Sequence, residues 1–245
     1  MPQTSHQLYR AHVKNLRAIE TALTHTRLSM KQALSATNDA TADVHLKTVL
    51  LLTGAWAECR LNKLVYEPGG LSEADRALVQ SGTQYDQWLT VIKTGFQNRY
   101  INSARRNVEE PHVNADTRAR YDRITSSVDT HLKPIIEMRN KLAHGQWVRA
   151  LNAAGDDINP RMIQAIHEEN ALTSQFKAKL IDILADIVHD LVSGGDAFPR
   201  DYNAHYERYF QIQKKLETVD YDDWKRRMIE KYKRGKDQRR TPQIS

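Results

Sequence analysis

Arg139, Asn140, Lys141 and His144 lie within one short run, Arg139-Asn140-Lys141-Leu142-Ala143-His144-Gly145, at the end of a strongly helical stretch. On a helix these side chains fall within about one and a half turns of each other. A guanidinium is permanently charged and presents a planar fork of donors that suits phosphate. An imidazole titrates near neutrality and can move a proton. An amide can orient either group. Together they could hold a phosphate and transfer a proton without a metal, and no matching oxygen or sulfur ligands are evident nearby.

The spacing also says where these groups point. Leu132, Ile135, Arg139 and Leu142 follow the three-and-four pattern of a core-facing seam. Arg139 therefore stands where an apolar residue is expected. Burying an unpaired guanidinium is costly, so it requires a carboxylate, a phosphate or a water-filled cleft. An earlier helix offers the carboxylate. Its seam reads Leu50, Gly54, Glu58, Leu61, Val65, and Glu58 interrupts it in the same way. Glu58 and Arg139 are thus expected to face each other, either as an ion pair fixing register or as a support aiming the guanidinium at a phosphate. Small residues beside Glu58 (Gly54, Ala55, Ala57) permit close approach of a second copy or of a helix of the same chain. Asn140 and His144 share a face. Arg139 and His144 are five residues apart, about 140° around a helix. They converge only if Arg139 curls, if the helix ends irregularly at Gly145, or if two copies meet. His144 is equally placed to cap the last carbonyls. The dipole end there favours imidazolium, the form a general acid needs.

The elements that must position these residues are helical. Only 10 Gly and 7 Pro interrupt 245 residues, 40% of which are hydrophobic and 27% charged, which points to an all-α protein with a real core. An antiparallel helical bundle is expected, with helices over residues 5–35, 42–66, 72–80, 85–106, 117–144 and 172–192. The second stops at Pro68-Gly69-Gly70. Residues 108–116, with Pro111, read as a connection, and Pro134 predicts a kink near Leu132. Residues 146–152 alternate like a strand and meet turn chemistry at 154–160, predicting a short β-hairpin after the motif. Residues 161–167 fit a returning strand or a helix. Helices at 199–216 and 221–234 form a C-terminal extension, dividing the chain into a bundle, 1–195, and an extension with a basic tail, 196–245.

Of the net charge of +6, the segment from Lys225 onward holds nine Lys or Arg against Glu230 and Asp237, so the rest is near neutral. Such a tail, opened by Lys225, Arg226 and Arg227, suits a polyanion; its alternative is a solvated terminus. No run approaches the ~20 apolar residues of a membrane span, and the first ten residues lack a signal-peptide apolar region. Cys59 alone excludes an internal disulfide or a Cys-based zinc site. His6, His12, His25 and His45 are scattered without ligand spacing, so neither metal nor cofactor is expected, and the cytoplasm is the expected compartment. Tyr202, His205, Tyr206, Tyr209 and Phe210 form an aromatic cluster suited to core packing or to stacking on unpaired bases.

Arg139-Asn140 followed by His144 near the end of a long bundle helix, with Gly145 after it and Glu58 in an earlier seam, resembles the HEPN superfamily motif of Arg, four to six residues, and His. The resemblance covers roughly residues 42–192. It implies metal-independent RNA cleavage by a homodimer whose two motifs face each other, in defence, abortive infection or a toxin–antitoxin pair with a protein partner. By position, Arg139 would bind the scissile phosphate and His144 would be general base or acid. Asn140 would orient the His or a phosphate oxygen, and Glu58 would hold Arg139. Lys141, Lys225, Arg226 and Arg227 would add RNA contacts. A second possibility within the resemblance is an inactive module that binds RNA, a nucleotide or a protein. One departure is clear: Gln146 stands where certain toxin members carry a Tyr that a nucleotidyltransferase partner modifies.

Overall fold

The computed structural model describes residues 3–101, 108 and 113–240, and these form helices joined by short connections. The first pair is α1 (Ser5–Ser35) and α2 (Asp39–Val65). α1 opens with a capping box: Thr4 accepts from the Gln7 N–H while Gln7 accepts from the Thr4 N–H. α2 carries apolar or small residues on several sides, with Val49, Ala57 and Leu61 fully buried, and it packs against α1 and two later helices, α6 (Lys133–Ala143) and α8 (Ala171–Ser193). A helix without a broad polar face belongs in the interior. This position makes α2 the element against which the candidate residues are held.

The short α3 (Glu73–Val79) leads to α4 (Gln84–Phe96), which continues into a π-helical turn, Gln97–Ile101. Arg106 and Pro111, expected to end a helix and to mark a connection, lie outside the described residues. Arg99 leaves the π turn to donate to backbone carbonyls at the end of α8: Nε to Leu191 at 3.2 Å, Nη2 to Asp190 at 3.1 Å, and Nη1 to Gly195 just beyond. The last carbonyls of a helix lack intrahelical donors, and a cation there also meets the negative end of the dipole. Arg99→Met keeps the stem but withdraws all three donors. We expect a loss of about 1–3 kcal/mol, seen as a fall in melting temperature of roughly 2–10 °C. A variant melting with the wild type would show that the cap contributes nothing.

The helix expected over 117–144 is present as two. α5 (Ala115–Ser127), capped by Asn114 through the Thr117 N–H at 2.8 Å, passes through a second π turn, Val128–Leu132, into α6. Pro134 explains the break. It has no N–H, and its ring would strike the carbonyl four residues back, at Thr130, which lies in that turn. Widening to π geometry, with the Lys133 N–H reaching the Val128 carbonyl, accommodates the ring without ending the rod.

The hairpin expected after α6 is absent among the described residues. One isolated antiparallel bridge, Leu151 with Ile158, takes its place. The alternation there is real, and the Asn152 N–H donates to the Asp157 carbonyl and the Asn159 N–H to the Ala150 carbonyl, both at 2.8 Å, on either side of the bridge. The Asn152 side-chain oxygen accepts from the Gly155 and Asp156 N–H groups at 2.7 and 3.3 Å, closing the turn between the paired segments, and the pairing stops at Pro160, which has no N–H to extend it. Pro160 then opens a helix, α7 (Pro160–His167), so the ambiguous segment is helical.

α8 buries Leu180, Ile181 and Val188 completely or nearly so and supports α9 (Ala197–Thr218). Phe198, Tyr202 and Tyr209 of α9 are buried, Phe198 meeting Phe96 edge to face at 5.6 Å. The aromatic cluster therefore packs largely inward, although Phe210 is 51% exposed. α10 (Tyr221–Arg240) returns toward α1, and no described helix is long and apolar enough to cross a membrane.

Candidate functional site

The site is built where α2 and α6 touch. A methyl group placed on Gly54 would lie 2.5 Å from Arg139 Cβ and 2.7 Å from its Cγ, so only a glycine lets the helices come this close. The small residues of α2 are used, at this position, within the chain. The approach fixes the Arg139 stem. One turn along α2, Glu58 Oε2 accepts from Arg139 Nη2, and Nη1 donates to Asn140 Oδ1 at 3.0 Å. The two seams whose polar interruptions pointed to each other do meet. The contact is not sealed: the Arg139 side chain is 29% exposed and that of Glu58 38%. Pairs this wet contribute little to stability, about 0–1 kcal/mol, so orientation of the guanidinium is the larger consequence.

α6 ends because Gly145 adopts φ +76°, a left-handed conformation that glycine tolerates best. The Gln146 N–H reaches back to the Lys141 carbonyl at 3.0 Å and the Gly145 N–H to Leu142 at 3.1 Å, a closing pattern that satisfies the last turn. His144 sits at the cap position with its backbone N–H on the Asn140 carbonyl at 3.2 Å. Its ring is exposed and makes no hydrogen bond among the described residues, so it does not cap the terminal carbonyls. No hydrogen bond joins it to Arg139 within the chain. The helix ends regularly, and the 140° expected between them stands.

The remaining candidates have partners inside the chain. Lys141 Nζ donates to the Leu151 carbonyl at 2.7 Å and lies 3.4 Å from that of Asn152, tying the loop after α6 to the helix. Trp147 Nε1 donates to the Leu142 carbonyl at 2.9 Å, and Gln146 accepts from the Leu151 N–H at 2.8 Å, so both residues after Gly145 staple the same loop. Lys225 pairs with Asp39 at 2.9 Å, and Arg226 and Arg227 both pair with Asp223. By contrast Lys231, Lys233 and Arg234, further along the basic run, are exposed and form no ion pair among the described residues. Sequence reasoning did not separate these from their neighbours, because a count of charges carries no information about partners.

Cys59 follows Glu58, and burial and the Glu58 charge push its thiol up, against the opposing charge of Arg139; that shift disfavours the nucleophilic thiolate. No three His, Cys, Asp or Glu side chains among the described residues cluster so as to hold a metal ion. Chemically, the assembly offers a positioned, partly exposed cation, an amide on that cation, and a free imidazole at the end of the same helix. Comparison with family models, with curated proteins and with solved structures found nothing that matches this chain.

Proposed function

We propose that this chain is a metal-independent endoribonuclease that cuts RNA through its own ribose 2′-hydroxyl, acting as a homodimer. One observation carries the reading: Arg139 is held from behind by Glu58 and Asn140 while remaining partly open, and an uncommitted His144 stands at the end of the same helix. In the cleavage step a His144 imidazole, acting as general base, takes the 2′-hydroxyl proton. The oxygen attacks the adjacent phosphorus, and Arg139 stabilises the extra charge on the non-bridging oxygens. A second His144, as imidazolium, protonates the departing 5′-oxygen. The products are a 2′,3′-cyclic phosphate and a 5′-hydroxyl. Arg139 and His144 do not touch within one chain, so a second copy is the simplest way to gather both roles around one phosphate. The HEPN-like motif suggests a setting in defence, abortive infection or a toxin–antitoxin pair.

A second reading is a module that binds RNA, a nucleotide or a protein without cleaving it. It is favoured by the engagement of both Arg139 Nη atoms and by the gap to His144. Incubation of the purified protein with RNA in EDTA separates the two: cleavage supports the first, and binding without cleavage supports the second.

The basic run of α10 would add affinity by pairing with phosphates. Replacing Lys231, Lys233 and Arg234 together by Gln leaves the paired cations and the buried Met228 in place. RNA binding should weaken chiefly at low salt, and the slope of log K against log salt should fall by about 0.7 for each phosphate no longer neutralised. An unchanged slope would remove the tail from the RNA surface.

A further inference from the structure

Arg139 has its carboxylate; a partly buried cation without one is Arg27, on the other side of α2. Arg27 forms no hydrogen bond and no ion pair among the described residues, and its Nε is buried without an acceptor. Burial pulls its guanidinium below the ordinary value, against the charge of Asp182. It borders a cavity of about 250 Å³ between α1, α2 and α8, together with Glu20, Trp56, Gln175, Lys179 and Asp182. Trp56 and Glu58 are two residues apart on α2, about 200° around the helix, so this cavity and the Arg139 site lie on opposite faces.

The acids of the cavity are already engaged. Glu20 accepts from the Trp56 indole N–H at 3.4 Å. Asp182 lies 3.7 Å from Arg60, which is itself held by Asp186 at 2.5 Å. Burial pushes the Asp182 carboxyl up, against the pull of Arg60. On the donor side, Lys179 is exposed, with its Nζ 5.8 Å from the centre of the Phe176 ring and no carboxylate partner among the described residues, and the Gln175 amide makes no hydrogen bond among them. A buried guanidinium N–H with no acceptor is costly unless something supplies one. Two cations without a hydrogen-bond acceptor and a free amide on one cavity are what an oxyanion needs.

We propose that this cavity binds the phosphate or carboxylate group of a small metabolite, with Arg27 and Lys179 taking its charge and Gln175 donating to it. The volume is below the range of about 300–1,000 Å³ that holds drug-sized ligands. It admits a compact molecule rather than a nucleic acid strand. Hydroxyl or amine groups of that molecule would meet Glu20 and Asp182.

The test uses the full chain carrying Arg139→Met, so that anion binding at the other site does not interfere. Inorganic phosphate is titrated while tryptophan fluorescence and melting temperature are read, with acetate in a parallel arm. A saturable change with phosphate alone points to a phosphorylated ligand, and one with acetate as well points to a carboxylate. Adding Arg27→Met should weaken whichever binding is seen by about tenfold or more, since it removes the charge-assisted bonds. Without anion, Arg27→Met should melt at or above its parent, because a desolvated cation has gone. No saturable response to either anion, or equal binding after Arg27→Met, overturns the proposal. A lower melting temperature in Arg27→Met without anion overturns it too, since the side chain would then be structural. None of these outcomes bears on RNA cleavage, which is read separately.

Discussion

His144→Ala and Arg139→Ala are each expected to slow RNA cleavage in EDTA by about 100-fold or more while leaving the helical fold in place. A positioned general acid or base contributes roughly 10²–10⁴, and a donor aimed at developing phosphate charge about 10²–10³. Both exceed what a change in binding alone would cause, since a single rim cation is worth far less. Folding should survive for a physical reason. The His144 ring makes no bond among the described residues, and Glu58, left alone by Arg139→Ala, is 38% exposed and can be solvated. A partly exposed pair of this kind is worth about 0–1 kcal/mol. Arg139→Lys sharpens the test: it keeps the charge but loses the fork that serves Glu58 and Asn140 together, so most of the defect should remain. Full cleavage by His144→Ala would remove the proposed mechanism. If both roles come from two copies, cleavage per chain should also fall on dilution through the dimer dissociation range.

Gly54→Ala should destabilise the protein although alanine is the better helix former. Helix propensity favours alanine by about 1 kcal/mol. The new methyl, however, would stand 2.5 Å from Arg139 Cβ and 3.3 Å from the Ile135 carbonyl oxygen. Arg139 Cβ is rooted to its backbone, so a rotamer change cannot clear it; α2 and α6 must part. Overpacking of this kind costs about 1–3 kcal/mol, which outweighs the propensity gain. The net loss should appear as a melting temperature lower by a few degrees, at about 2–4 °C per kcal/mol for a chain of this size. Gly54→Val should be worse, because its branches meet the same stem. Separation of the helices also moves Arg139 relative to Glu58, so cleavage should fall together with stability while His144 is untouched. A Gly54→Ala protein that melts at or above the wild type would show that the close approach is not needed.

The ion pair at the centre of the site was legible in the sequence because both partners break an otherwise apolar seam. Two charged residues at core-facing positions of packed helices restrict each other strongly. Helix ends were legible where a residue type forces the backbone, as at Gly145 and Pro134. The widening of a whole turn beside Pro134 was not, since relief of a ring clash can take several forms. The hairpin failed for a related reason. Alternation over residues 146–152 describes side-chain polarity, whereas the outcome was decided by Pro160, which has no N–H to extend the pairing and opens α7 instead. Lys141 and Lys225 looked free because composition shows charge, and the groups that engage them are carbonyls of a loop and a carboxylate at the start of α2. Arg27 was invisible for the converse reason: an arginine on a long amphipathic helix gives no sign that its acceptor is missing.

The most direct measurement compares an oligoribonucleotide with the same strand carrying one 2′-deoxynucleotide at the mapped cut site, both incubated with the protein in EDTA. Attack by the 2′-hydroxyl predicts that the first is cut to a 2′,3′-cyclic phosphate and a 5′-hydroxyl, and that the second survives at that position. Equal cutting of the two strands, or cutting that stops when EDTA is added, would contradict it.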